Sequence, residues 1–286
     1  MLSWKSLQVC AIVNSVLYGM ATASSWMFDH SFLAYTGTAI ATNVGLVWWL
    51  SSIDKQRIEI SQTDDFPDSS DVLLTTSMYI VNASCIKSVT HWAILMCMVD
   101  TRPTVGVIGC FWYFLMESFV FELVFDGCHY VIHRLLHSNK YLYQIHKTHH
   151  RTKDLVAANT FHMHPLDLIL SYSVPLVVST WIFRPTYFHT ITAYLTYQEI
   201  AGHLGKRMYP TSSFAQFIWL PRLLQIELYT EDHYLHHKLL KCNFSKRFAI
   251  WDKLCGTYVP GKCTNSEKLF RSIDGDEPET PDTSKK

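Results

Sequence analysis

Histidines are concentrated in one region of this chain. Thirteen of the fifteen fall between His129 and His237. Eight of them form three clusters with internal spacings of one, three or four residues: His133 and His137; His146, His149 and His150; His233, His236 and His237. Residues three and four apart lie on the same face of a helix, and neutral imidazole is a common metal ligand. The spacing therefore predicts a metal site built on helices.

The number of clustered histidines predicts two ions close together. Eight imidazoles on shared faces exceed the roughly four ligands that a zinc site takes. The alternative is a solvated histidine-rich surface, or imidazoles that are satisfied in a polar core. That alternative explains one cluster as well as a metal does, but three clusters of near-identical spacing within 105 residues favour metal.

Two isolated histidines are further candidate ligands. His203 lies in Gly-His-Leu-Gly at the end of an apolar stretch, and His164 lies in His-Pro-Leu-Asp. His162 is interpreted as a partner to a ligand or as a structural residue. Four others are interpreted as ordinary interface or core residues: His30, His91, His129 and His189. Ligating imidazoles usually donate their second N–H to a carboxylate or carbonyl, and six residues near the histidines are candidates for that role: Asp126, Asn159, Asp167, Glu199, Glu231 and Asp232.

Apolar segments precede the histidine region. Four of them have about the 20 residues that a helix needs to cross a bilayer: 6–28, 31–50, 72–99 and 104–125. Four crossings put the amino terminus and the histidines on one side. Basic residues near the clusters favour the cytosol for that side. The pair 168–183 and 186–198 is short and is split by Arg184-Pro185, which predicts a re-entrant or interfacial hairpin.

Composition limits the class of protein. The 286 residues carry no formal net charge, and 17% are charged against 49% hydrophobic. This balance gives no reason to expect a nucleic-acid partner and fits a mixed membrane and aqueous architecture. The eight cysteines include no C-x-x-C pair, which argues against a thiolate zinc site and a disulfide scaffold. We therefore expect an all-α polytopic membrane protein with a cytosolic helical cap, divided into 1–125 (transmembrane helices), 126–260 (catalytic domain) and 261–286 (disordered polar tail).

Ligand type alone does not select the metal, because imidazole suits zinc, copper, iron and nickel. The sequence has no H-E-x-x-H and no E-x-x-H, the patterns of zinc metalloproteases and soluble di-iron bundles. Two rival functions remain open at this point. A membrane zinc hydrolase predicts about three essential histidines, and a metal transporter predicts histidines buried within membrane spans.

The order of the clusters after several apolar segments resembles the fatty acid hydroxylase and sterol desaturase superfamily of membrane di-iron oxygenases. Four further elements resemble that family: Asp126, Tyr130 and His133-Arg134; Asn159, His164-Pro165 and Asp167; Gly202-His203; and Asn243 with Trp251-Asp252 through Gly256-Thr257-Tyr258. The resemblance covers about residues 120–260. Ser245 is a departure, because it lies in Asn-Phe-Ser where many members have Asn-Tyr-Gly.

The resemblance implies an O2-dependent enzyme with two irons. Ten histidines would hold them: His133, His137, His146, His149, His150, His233, His236 and His237, with His203 and His164 completing the set. It implies hydroxylation or desaturation of a sterol or a long-chain fatty-acyl or sphingoid lipid that enters from the bilayer. It also implies cytochrome b5 and NADH-cytochrome b5 reductase as electron donors, since the sequence has no cytochrome-type or dinucleotide-binding motif, and an endoplasmic reticulum location.

Overall fold

The computed structural model of this protein describes residues 4–53, 69–97, 107–151, 155–206 and 213–261. Within these ranges the regular elements are helices, and one isolated antiparallel bridge joins Glu227 to Phe248. The predicted all-α class is therefore confirmed. The helices are α1 (Trp4–His30), α2 (Phe32–Ser52), α3 (Ser69–Cys97), α4 (Val107–Ser138), α5 (Lys140–His146), α6 (Pro165–Leu168), α7 (Val174–Phe183), α8 (Phe188–Gly202), α9 (Trp219–Leu223), α10 (Thr230–Leu239) and α11 (Ile250–Leu254).

Three of the described helices are long and apolar enough to cross a membrane: Leu7–His30, Thr76–Cys97 and Pro165–Phe183. The chain is therefore a membrane protein, as predicted, but the four predicted crossings are not confirmed. The second and fourth predicted spans form the long helices α2 and α4, which are outside this set. The third candidate includes the segment that the sequence suggested was too short to cross, because the helix begins at Pro165 and gains three residues at its start.

Several predicted connections cannot be compared with the structure. The centre of the polar 51–71 loop, the Thr101–Pro103 connection and the tail beyond residue 261 lie outside the described residues.

The helix breaks directly after the first histidine cluster. Helix α4 ends at Ser138, and the side chain of Asn139 accepts hydrogen bonds from the backbone N–H groups of Tyr141 and Leu142 at 2.9 and 3.2 Å. Asparagine is a favoured N-cap because its side chain satisfies backbone donors that the first helical turn leaves free. Helix α5 therefore starts in a new direction, and its last residue is His146.

The helix that contains Pro165–Phe183 changes its winding in the middle. Residues Ile169–Ser173 form a π turn between α6 and α7. Pro175 has no N–H, so it cannot bond the carbonyl of Ser171 four residues earlier. The Nδ1 of His129 lies 2.7 Å from that carbonyl oxygen and satisfies it from α4. This contact ties the start of the histidine region to the membrane helix.

The packing of the helices brings the ends of α4 and α8 together with α10. Helix α1 packs against α2 and α8, α2 against α3, and α4 against α7. Their shared core contains Leu17, Leu46, Phe121, Tyr172 and Leu195, each less than 2% exposed. Removing such side chains from water is the main favourable term in folding. Helices α4 and α10 carry five of the eight clustered histidines, and His203 directly follows α8.

A buried carboxylate holds the segment that leads to α11 against α4. Asp126 accepts three backbone hydrogen bonds, from Lys246, Arg247 and Phe248, at 2.7, 3.0 and 2.9 Å. At the next residue, Gly127, the absence of a side chain leaves room for the Trp251 ring, since a Cβ there would lie 2.8 Å from it. Trp251 also donates to the carbonyl of Leu123 at 3.1 Å.

We expect Asp126→Ala to destabilise the fold strongly. The substitution leaves three backbone donors without their acceptor, which costs on the order of 3 kcal/mol or more at roughly 1 kcal/mol each. Thermal unfolding of the detergent-purified protein measures this. Asp29→Ala, which removes an exposed carboxylate, is the control. Equal melting temperatures for the two variants would contradict the role assigned to Asp126.

Candidate metal centre

Among the described residues, nine histidines form two groups with their ligand atoms within 4.8 Å of one another inside each group. The first, the five-histidine group, contains His133, His137, His146, His150 and His236. The second, the four-histidine group, contains His149, His203, His233 and His237. All nine are buried except His137, which is partly buried. The two groups lie side by side, because the rings of His150 and His237 have centroids only 4.5 Å apart.

The two groups do not correspond to the three sequence clusters. His146 and His150 are four apart and enter the five-histidine group, while the intervening His149 enters the other. The third cluster divides in the opposite sense, with His233 and His237 in one group and His236 in the other. Successive helical residues are about 100° apart around the axis, so neighbouring histidines point in different directions. Each cluster of three therefore supplies ligands to both groups.

The separations of the ring nitrogens fit metal coordination. The Nε2 atoms of His133 and His150 lie 3.1 and 3.0 Å from Nε2 of His146. In the other group, Nε2 of His203 lies 3.1 Å from that of His149 and 3.0 Å from that of His233. Two nitrogens about 2.1 Å from one ion and at right angles are about 3.0 Å apart. Each group thus converges as the ligands of one ion would.

The outer nitrogens of four rings are bound to acceptors. Two donate to backbone carbonyls of the 242–244 loop: Nδ1 of His133 lies 2.7 Å from the carbonyl oxygen of Phe244, and Nδ1 of His236 lies 2.8 Å from that of Cys242. Nδ1 of His146 lies 2.8 Å from Asp167 Oδ2, and Nδ1 of His203 lies 2.8 Å from the Glu199 carbonyl oxygen. A ring that donates through Nδ1 leaves Nε2 as a bare acceptor, which is the tautomer that binds metal.

Burial keeps these rings neutral. Desolvation lowers the pKa of His137 to about 2, of His236 to about 3 and of His203 to about 4, with neighbouring cationic or imidazole groups acting in the same direction. At pH 7 these three imidazoles are therefore unprotonated and able to bind a cation. The Nε2 atoms of His137 and His236 are buried and have no hydrogen-bond partner among the described residues. A buried acceptor without a partner is costly, and a metal ion would satisfy both.

The tenth predicted ligand is in neither group. His164 is exposed, and its Nδ1 accepts a hydrogen bond from the backbone N–H of Leu166 at 3.2 Å, so it caps α6. The proline that follows it starts the helix, which turns the histidine outward. His162 packs its ring edge-on to Tyr79, with centroids 4.5 Å apart, in keeping with a structural interpretation.

The acidic candidates have different roles. Asp167 binds His146 through its carboxylate, as expected of a partner to a ligand, whereas Glu199 binds His203 only through its backbone. The Glu199 side chain is buried between Lys87 and Lys246 at 2.5 and 3.1 Å. Burial by itself raises the pKa of Glu199, but the lysines and Arg247 outweigh it, so the pKa lies well below its ordinary value.

Two further acids fix the backbone around the rings. Asp232 accepts from the N–H groups of Tyr229 and Gly261 at 2.9 and 2.8 Å. Asp252 accepts from Phe244 and Ser245 at 2.8 and 2.7 Å, which aims the Phe244 carbonyl at His133. Sequence reasoning gave Asp252 no role. The sequence feature that could have identified Asp252 was its place in the Trp251-Asp252 motif.

Metal content tests the two groups separately. We expect elemental analysis of the detergent-purified protein to find two ions per chain, and one or none in His149→Ala and in His236→Ala, because each substitution removes a ligand from a different group. His30→Ala and His164→Ala are the controls and keep both ions. Undiminished metal in His149→Ala and His236→Ala would refute the site.

The carboxylate behind His146 has its own test. Asp167→Asn keeps the side-chain shape but removes the charge that holds the imidazole, and loss of such a partner typically weakens metal binding about 10–100-fold. Competition with a chelator measures the affinity. Asp29→Asn, on an exposed carboxylate, is the matched control, and equal affinities in the two variants would show that Asp167 does not orient the ring.

Comparison with known proteins agrees with this geometry. Residues 118–257 match the family model described as fatty acid hydroxylase. The chain is 32% identical over 160 residues to a very-long-chain aldehyde decarbonylase of Oryza sativa, covering 51% of this chain and 57% of that protein. It is 30% identical to sphinganine C4-monooxygenase 1 of Arabidopsis thaliana, covering 48% of this chain and 52% of the relative. It is also 30% identical to the C-4 methylsterol oxidase of Schizosaccharomyces pombe, covering 48% and 45%.

The chain thus spans about half the length of the curated relatives it matches. No solved structure matches it. The matched segment begins within α4 and ends after α11, so it includes all nine histidines of the two groups. Over this segment, the chain is similar to the fatty acid hydroxylase family.

Proposed function

We propose that this protein is an O2-dependent di-iron oxygenase that hydroxylates or desaturates a sterol or a long-chain fatty-acyl or sphingoid lipid. The observation that carries the proposal is the pair of adjacent all-histidine groups. Relatives named for hydroxylating, oxidising or decarbonylating different lipids support oxidation of a lipid and leave its class broad.

The donor set fits iron. Imidazole nitrogen suits divalent iron as well as zinc or copper, and nine neutral rings satisfy two ions without help from carboxylates. His133, His137, His146, His150 and His236 would hold one iron, and His149, His203, His233 and His237 the other. When bound, the irons would supply the activation of O2 and the attack on an unactivated C–H bond. Hydroxylation combines the lipid, O2, two electrons and two protons to give the alcohol and water.

The protein's own residues hold the site rigid and dry. Asp167 and the carbonyls of Phe244, Cys242 and Glu199 fix the ring orientations, so the ligands need no rearrangement before reaction. Burial of the rings excludes bulk water, which protects reactive chemistry from side reactions. A small cavity of about 20 Å³ lies beside Leu168, the residue after Asp167, and its walls combine apolar side chains with the polar Tyr79 and Asn82.

The electrons would come from a separate protein. The sequence contains no haem-attachment or dinucleotide-binding motif, so we propose cytochrome b5 with its NADH-dependent reductase as donor. Basic residues near the clusters favour a cytosolic site, and the endoplasmic reticulum is the proposed membrane.

Two rival functions fit the geometry less well. A zinc hydrolase needs about three protein ligands and one open position at a single ion, whereas two complete groups are present here. A transporter needs histidines along a membrane path, but the nine histidines lie outside the three candidate spans.

Turnover with isotopic oxygen tests the oxygenase. We expect the iron-loaded, detergent-purified protein with cytochrome b5, its reductase and NADH to give a product that contains one atom from 18O2 on hydroxylation, or lacks two hydrogens on desaturation. Sterols, fatty acyl lipids and sphingoid bases form the panel, and mass spectrometry is the readout. His236→Ala abolishes turnover because its iron is lost, whereas His30→Ala keeps it. Product formation at an undiminished rate without O2 would refute the proposal and favour the hydrolase.

A further inference from the structure

A polar cavity lies within the apolar helical bundle, away from the histidine groups. It is about 50 Å³ in volume, enough space for more than one small polar molecule. Its walls come from α1, α2, α3 and α8 and are formed by Met20, Ser24, Tyr35, Ala39, Thr42, Asn43, Lys87, Ser88, His91, His189, Thr192, Ala193 and Thr196. Ten of these thirteen side chains carry a hydrogen-bonding group.

Such a lining is unusual in this part of the molecule. Both α1 and α3 contain candidate membrane spans. Polar groups inside a membrane are costly and mark functional sites more often than structural ones. The polar side chains face the cavity, whereas large apolar side chains on the same helices, such as Tyr18, Trp48 and Met78, are exposed on the outer surface. The arrangement is that of an inward binding site.

Most of the strong polar groups already have partners. The Tyr35 hydroxyl lies 2.8 Å from Nδ1 of His91, whose Nε2 lies 2.9 Å from the Tyr172 hydroxyl. The ammonium of Lys87 is bound to Glu199 at 2.5 Å. The charge of Lys87, the cation in the cavity wall, is therefore neutralised. Both ring nitrogens of His91 have hydrogen-bond partners. Among the described residues, the walls still offer a ligand the hydroxyl of Ser88 and Nδ1 of His189, both buried and without a partner.

Ser88 provides an independent indication of a ligand. Its side chain is 1% exposed, and its Oγ has no hydrogen-bond partner among the described residues. Leaving a buried hydroxyl unpaired costs about 1–3 kcal/mol. The hydroxyl of Ser84, one turn earlier on α3, donates to the Ile80 carbonyl and accepts from Asn43. A serine hydroxyl in this part of the helix can therefore be fully paired, in contrast to that of Ser88. The free hydroxyl of Ser88 borders the cavity and is available to its contents.

We propose that this cavity binds the uncharged hydroxyl end of an amphipathic lipid, with Ser88 as an anchoring partner. A hydroxyl both donates and accepts, so it satisfies Ser88 in either direction. A carboxylate would need an unpaired cation, which Lys87 does not supply. The inference rests on the proposed function in one respect, that the lipid bound here is also the substrate.

The location of the cavity separates the anchor from the chemistry. Thr196 lies in the cavity wall, seven residues before His203, which directly follows α8. At a rise of 1.5 Å per residue, the two residues are roughly 10 Å apart along the helix axis. The Lys87–Glu199 pair lies between them. The hydroxyl held in the cavity is therefore remote from the irons, and a different part of the lipid is oxidised.

Binding measurements test the proposal without relying on turnover. The probes are a long-chain primary alcohol, the alkane and the carboxylic acid of equal chain length, each radiolabelled, and equilibrium binding is measured on the full chain in lipid nanodiscs. We expect the alcohol to bind most tightly. We expect Ser88→Ala to weaken alcohol binding roughly 3–10-fold, the equivalent of one net hydrogen bond, and to leave alkane binding unchanged.

The matched control is Ser179→Ala. Ser179 in α7 is also fully buried with an unpartnered hydroxyl among the described residues, but it does not line the cavity, so alcohol binding stays unchanged. Unaltered alcohol affinity in Ser88→Ala, or tighter binding of the acid than of the alcohol, would overturn the proposal. Intact Ser88-dependent binding in a protein that shows no O2-dependent turnover would support the cavity while refuting the proposed function.

Discussion

The structure depends on placing nine imidazole rings together in a volume that excludes water while keeping them neutral. A protonated ring there would face both the loss of hydration and the repulsion of its neighbours, so each ring must be held as a base. The outward hydrogen bonds of His133, His146, His203 and His236 achieve this by fixing the proton on Nδ1. Much of the surrounding backbone can be understood as support for those few bonds.

That support comes from segments far apart in the chain. Phe244 and Cys242 supply carbonyl acceptors, and they can do so only because their loop is fixed. Asp126 on α4 binds the backbone just beyond the loop, and Asp252 binds its centre. Asn243 adopts a positive φ of 55°, a conformation that asparagine tolerates better than most residues. The motifs around Asp126, Asn243 and Asp252 are therefore structural supports for ligand orientation.

The buried charges form a second layer behind the four-histidine group. Glu199 is surrounded by Lys87 from the membrane helix α3, by Lys246 and, at 3.9 Å, by Arg247. Removing one member of such a set leaves an uncompensated buried charge, which is strongly destabilising. Because the Glu199 backbone also binds His203, this charge cluster connects the bundle that contains the polar cavity to the metal centre. The membrane helices and the histidine region are thus one packed unit at this point.

Local sequence patterns were sufficient for a large part of this description. The spacing of the three clusters, the apolar length of the helices and the Ser138-Asn139 break depend on helical periodicity and capping, which act over a few residues. The same patterns singled out all nine histidines that converge, together with His164, which lies in neither group. Pro165 directly follows His164 and starts a helix, and His164 caps that helix.

Only the tertiary structure decided how the clusters combine. Periodicity fixes which residues share a helical face, but not which face meets which, since that depends on packing between segments 21 to 111 residues apart. The division of His149 from His150 and of His236 from His237, the pairing of His146 with Asp167, and the carbonyl partners from the 242–244 loop all arise from such contacts. The sequence determined that the chain concentrates metal-binding side chains on helices, and long-range packing determined that they form two adjacent groups.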